Sequence, residues 1–127
     1  MVGLPARGKT FIAQKLKRYL SWLNISTQIF NVGDYRRKNC GAELAHSFFD
    51  QSNVEANKLR EEVAREALVD MESFFAAGGQ VGIYDATNTT IARRKMVKEF
   101  CEKRNVSVNM FNERFYLLNQ FVVTMKL

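Results

Sequence analysis

The sequence predicts an α/β fold, a parallel sheet flanked by helices, and three observations carry that expectation. Apolar runs of strand length alternate with longer segments of helical periodicity, the pattern of strand–helix–strand units. Residues Gly3-Leu4-Pro5-Ala6-Arg7-Gly8-Lys9-Thr10 complete the G-x-x-x-x-G-K-[ST] spacing of a P-loop, a turn that cradles phosphates and opens a helix. Polar residues stand just after each predicted strand, where ligands bind in open parallel sheets.

The elements follow in order. Lys9 to Leu23 reads as a helix with Phe11, Ile12, Leu16, Tyr19, Leu20 and Leu23 on one face, ended by Asn24. Thr27 to Val32 is a short strand. Gly33 to Ser52 is polar and reads as irregular, with Arg36, Arg37 and Lys38 early in it. Ser52-Asn53-Val54-Glu55 has the form of a capping box, opening a long helix to Ala77 that Gly78-Gly79 stops. Val81 to Tyr84 is an apolar strand ending at Asp85, and Ala86 to Thr89 a turn. Thr90 caps a basic helix over 91–104, and Val106 to Phe111 forms a further strand. In the tail, Phe115, Leu118, Val122 and Met125 make a helical stripe, while 121–125 has strand-like composition; the helix is favoured.

Composition excludes several classes. The 127 residues make one domain, and 46% hydrophobic residues with ten Phe can form a core. No signal-peptide pattern or membrane-length run is found, which predicts a cytoplasmic protein with no membrane partner. Cys40 and Cys101 lack zinc-type spacing and read as reduced thiols. The net charge of +6 is lopsided: residues 1–40 hold eight basic side chains against Asp34, whereas 50–72 are acidic. With no interleaved aromatic and basic platform, that basic end suits small phosphorylated ligands and argues against nucleic acid.

The chemistry sits in three blocks. Gly3 and Gly8 let the backbone close on phosphate oxygens, Lys9 reaches the β- and γ-phosphates, and the Thr10 hydroxyl ligates Mg²⁺. Asp85, at the end of a buried strand, is placed to hold Mg²⁺ through water or to take the proton of an acceptor hydroxyl, with Thr87 and Asn88 beside it. The bland reading of Asp85 is a turn residue capping the next helix. Arg36 and Arg37 could grip a second phosphate in bidentate fashion, or form a solvated basic loop. Arg60 and Arg93 taken singly read as surface charges; His46 reads as structural, and Met96, Val97 and Phe100 as a core stripe.

Together, Gly-Leu-Pro-Ala-Arg-Gly-Lys-Thr (3–10), Phe-Asn-Val-Gly-Asp-Tyr-Arg-Arg (30–37) and Asp-Ala-Thr-Asn-Thr-Thr (85–90) resemble the kinase domain of the 6-phosphofructo-2-kinase/fructose-2,6-bisphosphatase family. The resemblance spans about residues 2–108. It implies transfer of phosphate from ATP, with Mg²⁺, to the 2-hydroxyl of fructose 6-phosphate. Carried over by motif, Gly3, Leu4, Pro5, Ala6, Arg7, Gly8, Lys9, Thr10 and Phe11 would bind ATP. Arg36, Arg60, Thr87 and Arg93 would contact the sugar phosphate, Asp85 and Lys9 would act in catalysis, and Thr10 and Asp85 would hold the metal.

Two departures shape the expectation. Only Met1-Val2 stand before Gly3, too short for the strand that normally carries a P-loop. The family pattern also ends near Asn109, before the later lysine, cysteine and adenine contacts of that kinase. The sequence therefore predicts a truncated P-loop domain over 1–108, with its first strand largely missing and its C-terminal strands missing, followed by a divergent tail over 109–127. Losing a central strand would expose its two neighbours as unpaired edges and remove several buried aliphatic side chains, each worth about 1.5–3 kcal/mol. The alternatives are a non-catalytic nucleotide-binding fragment, one that pairs with a second copy or a full-length subunit, and another small P-loop kinase acting on polynucleotide or gluconate. The second and third blocks argue against the last of these.

Overall fold

The computed structural model describes residues 8–40, 53–88, 90–113 and 119–126. Residues Gly3 to Arg7 of the P-loop, Ser52 and His46 lie outside the described residues. The elements are α1 (Lys9–Trp22), β1 (Thr27–Asn31), α2 (Val32–Cys40), α3 (Val54–Ala76), β2 (Val81–Asp85), α4 (Ile91–Glu102), β3 (Val106–Glu113) and β4 (Asn119–Lys126). The sheet order is β1-β2-β4-β3. Strands β1 and β2 are parallel with Asn31 opposite Asp85, while β4 runs antiparallel to both β2 and β3.

Alternation along β2 divides the core. Val81 and Ile83 pack on Ala13, Ile12, Leu16 and Leu20 of α1, with Ile25 and Ile29 completing this layer. Tyr84 faces the other way and joins Phe30, Leu68, Met71 and Phe75 of α3, Val97 and Cys101 of α4, and Val106. All five residues of β2 are buried, as a strand covered on both faces must be. Gly82 fits this crowding: a Cβ there would meet the Met71 Sδ at 2.8 Å. The parallel pair β1–β2 and the flanking helices agree with the sequence reading of an α/β fold.

Four local expectations are corrected. Residues 33–40 are helical, not irregular, and 41–52 lie outside the described residues; Val32 and Tyr35 of α2 pack on the core, and side-chain bonds from Tyr35 to Asp70 (2.8 Å) and Asn39 to Glu66 tie it to α3. Asn53, not Ser52, is the N-cap of α3; its side chain accepts from the Ala56 N–H at 3.0 Å. The buried stripe of α1 is narrower than its apolar pattern: Ile12, Ala13, Leu16 and Leu20 are the residues that pack with Val81 and Ile83. Phe11 and Tyr19 are exposed, at 64% and 58%, as is Leu23 at 43%. The tail forms strand β4 and not a helix, since two ladders, to β2 and to β3, satisfy its backbone while Val122, Val123 and Thr124 suit a strand.

Other expectations hold. Asn24 leaves α1 at φ 59°, a left-handed conformation that Asn tolerates. Thr90 caps α4 by accepting from the Arg93 N–H at 3.2 Å, and that helix ends at Glu102, two residues early. Cys101 is a buried free thiol; Met96 and Phe100 pack beside it.

This core makes the fold sensitive to alkali. Burial pushes the Tyr84 phenol from 10.0 up to about 12, with Arg93 opposing, and the Cys101 thiol from 9.0 up to about 11, with Arg104 opposing. Both groups are neutral when folded, so the unfolded chain releases its protons first. The stability this gives is complete below about pH 9 and is lost as pH rises through the folded values. Chemical denaturation at pH 8 and pH 11 should differ by roughly 2–4 kcal/mol, and Tyr84→Phe should remove about 1 kcal/mol of that difference. An unchanged difference in Tyr84→Phe would refute the assignment to this phenol.

Candidate active site

The site begins where α1 begins. Gly8 is its N-cap at φ 76°, a conformation that costs glycine little. It offers no side chain to the first-turn N–H groups, whereas Asn53 and Thr90 cap α3 and α4. The N–H groups and the positive end of the helix dipole at such a terminus favour an anion. Lys9 and Thr10 are the first two helical residues. Burial holds the Lys9 ammonium below its ordinary pKa, and Asp85 partly restores it.

Thr10 and Asp85 meet across the sheet edge. The Thr10 hydroxyl donates to Asp85 Oδ2 at 2.7 Å although 75 residues separate them. Asp85 is 3% exposed. Its second partner is Asn31, the residue paired with it in the β1–β2 register, whose Nδ2 donates to the same oxygen at 2.8 Å and reaches the Thr10 hydroxyl at 3.4 Å. Asn31 Oδ1 in turn accepts from the N–H groups of Gly33 (2.9 Å) and Asp34 (3.3 Å), opening α2. A Cβ at Gly33 would stand 2.9 Å from that oxygen, so glycine keeps the bond short. One amide thus orients the carboxylate, the hydroxyl and the start of the next helix.

The remaining candidates fall around this cluster. Thr87 is exposed just beyond β2, and Arg94 Nη1 holds the loop by donating to the carbonyl of buried Asn88 at 3.1 Å. Arg93 Nη2 donates to the Arg60 carbonyl at 3.3 Å, so α4 and α3 adjoin at these two residues. The Arg60 guanidinium bonds to the Ala56 carbonyl and the Asn57 side chain of its own helix. Arg36 is half-buried one turn into α2, and Arg37 pairs with Asp34. Phe11 points outward, with the Lys15 ammonium 5.3 Å from its ring centroid. The structure joins Thr10, Asn31 and Asp85 directly, and Arg60 with Arg93 as a second group. Asn31 lies inside the second motif with no role marked for it in the sequence; a polar residue ending one strand opposite an Asp ending the next is the signal that finds it.

The comparisons with known proteins decide the family. The family model for 6-phosphofructo-2-kinase matches residues 1–122. The chain belongs to the 6-phosphofructo-2-kinase family. It is 48% identical over 106 residues to the human 6-phosphofructo-2-kinase/fructose-2,6-bisphosphatase 3, covering 83% of this chain and 20% of that protein. It is 51% identical over 108 residues to the Saccharomyces cerevisiae fructose-2,6-bisphosphatase, covering 84% and 24%, and 52% identical over 102 residues to the Arabidopsis thaliana 6-phosphofructo-2-kinase/fructose-2,6-bisphosphatase, covering 80% and 14%. The chain spans about a fifth of the length of the curated relatives it matches.

Proposed function

We propose that this chain carries the phosphate-handling edge of a 6-phosphofructo-2-kinase, which transfers the γ-phosphoryl group of ATP to the 2-hydroxyl of fructose 6-phosphate. The observation that carries the reading is the 2.7 Å contact between the Thr10 hydroxyl, in the P-loop helix, and the Asp85 carboxylate. A kinase of this class needs a hydroxyl and a carboxylate side by side at a phosphate-binding helix terminus.

The donor set suits Mg²⁺, which prefers oxygen ligands and takes one or two from protein and the rest from water and phosphates. Bound there, Mg²⁺ would neutralise charge on the transferring phosphoryl group. Lys9 would add a cation at the same oxygens; partial burial holds its pKa below the ordinary value, and Asp85 opposes the shift. Gly3 to Phe11 would wrap the triphosphate. Asp85 would accept the hydroxyl proton or orient the ion, and Asn31 would fix its rotamer. Arg36, Arg60, Thr87 and Arg93 would bind the sugar phosphate.

Residues 1–108 would make up the kinase portion and 109–127 a tail of separate character. A second reading, a nucleotide-binding fragment that does not turn over, is favoured by one feature: β4 lies beside β2. A cytoplasmic location belongs to the same proposal; among the described residues no helix is long and apolar enough to cross a membrane.

A hybrid kinase tests the acceptor assignment. In it, residues 3–108 of this chain replace the matching segment of a relative, which supplies the strand before the P-loop and everything after the match. Arg36→Ala in the hybrid should raise the KM for fructose 6-phosphate and leave that for ATP nearly unchanged. Losing a charge-assisted bidentate contact costs about 1.5–3 kcal/mol, roughly 10- to 150-fold. Weaker ATP binding with unaltered sugar affinity would place Arg36 on the nucleotide instead.

A further inference from the structure

The crossovers of this sheet say where a strand leading into the P-loop has to lie. The connections β1 to β2, through α2 and α3, and β2 to β3, through α4, both pass over the face that holds Phe30 and Tyr84. Both advance in the same direction along the order β1-β2-β4-β3. Helix α1 covers the opposite face, against Val81 and Ile83. Connections of one hand advance in opposite directions on opposite faces, and parallel crossovers keep one hand. A strand that runs through Gly3–Gly8 into α1 and returns as β1 therefore lies on the β2 side of β1. The nearest position there is the far edge of β2.

β4 holds that edge. Val81, Gly82, Ile83 and Tyr84 pair with Met125, Thr124, Val123 and Val122, antiparallel to the direction a P-loop strand requires. The same hairpin stands in the way of the loop itself. Beyond the Tyr84–Val122 level the β3–β4 ladder continues through Phe111–Phe121, Asn112–Gln120 and Glu113–Asn119. Three further rungs rise about 10 Å. They stand over the edge at which a P-loop hung from that position would turn toward Gly8. The last four residues of β4, 123–126, also lie past the end of the family match at residue 122.

We propose that β4 is a stand-in strand, occupying the sheet position of a strand that leads into the P-loop, and that the two exclude each other. With β4 seated, β2 is paired on both edges and α1 stays packed, and a strand entering the P-loop finds no place beside β2. With a parallel strand seated, β4 must leave β2. The fold would thus have a phosphate-site state and a sealed state, chosen by which strand pairs with Val81–Tyr84.

Cross-linking reads this directly. In the 127-residue chain, Val81→Cys with Met125→Cys places two thiols at directly opposed positions, within reach of a disulfide on mild oxidation. Val81→Cys with Val123→Cys places them on a diagonal about 7–8 Å long, out of reach. Peptide mapping should find the first link at least tenfold above the second. Adding a six-residue Val/Ile strand ahead of Met1 should lower the first link at least tenfold. Because cysteine variants can misfold, hydrogen exchange supplies an independent reading. In the unaltered chain the amides of 122–125 should be protected as strongly as those of 81–84, and in the extended chain 122–125 alone should lose protection. Equal yields from the two cysteine pairs, or freely exchanging 122–125 amides in the unaltered chain, would overturn the placement of β4. An undiminished link, or retained protection, in the extended chain would overturn the exclusion.

Discussion

Purified as residues 1–127, the chain is expected to transfer no detectable phosphate from MgATP to fructose 6-phosphate. Phosphoryl transfer has little covalent chemistry for the protein to perform and depends on positioning and charge stabilisation. Here Lys9 and Thr10 sit at the head of α1, while the β2 edge from which the P-loop would be aimed is paired with β4. A displacement of about 1 Å at a reacting centre can cost 10²-fold, and misplacing the Lys9 cation can cost 10³-fold or more. The two together put turnover below the reach of a coupled assay. Turnover that Asp85→Asn abolishes would refute this and show that the edge works as it stands.

In the hybrid kinase, Asp85→Asn is expected to lower kcat by about 10²–10⁴, the range for removing a positioned acid–base group. The substitution preserves shape, so Asn31 and Thr10 keep neighbours of nearly the same size. It removes the charge that would hold Mg²⁺ or take the hydroxyl proton. The KM for fructose 6-phosphate should move far less than kcat, because the proposed sugar contacts come from Arg36, Arg60, Thr87 and Arg93. A fall in affinity with kcat preserved would make Asp85 a binding residue and not a catalytic one.

The elements legible in the sequence are those whose local signals agree with the final packing. Helix α3 carries a cap, a long apolar period and a glycine stop, and β2 is an unbroken apolar run buried on both sides. Helix α2 was not legible because its stability comes from elsewhere: hydrogen bonds from Tyr35 and Asn39 to acids on α3, about 30 residues away, replace the missing apolar stripe. In β4 two periodicities compete within a few residues. The unpaired edges of β2 and β3 decide between them, and no local window contains that information. The exposed Phe11 and Tyr19 show the reverse error, apolar residues that the narrow contact with β1 and β2 leaves outside.

The site divides along similar lines. Lys9, Thr10 and Asp85 are readable because the proposed phosphate and Mg²⁺ chemistry calls for those residue types at strand ends and at a helix start. Asn31 is different: its contact with Asp85 depends on the parallel register that sets the two opposite each other, and a register is a tertiary fact. The charges of Arg36, Arg60 and Arg93 were legible, but their arrangement follows from how α2, α3 and α4 pack.

The most direct test of the account is the fate of label when the hybrid kinase receives γ-labelled ATP and fructose 6-phosphate. Label is expected on the 2-oxygen of the sugar, in fructose 2,6-bisphosphate, and is expected to disappear in Lys9→Ala. Label released only as free phosphate, or transfer that survives Lys9→Ala undiminished, would contradict it.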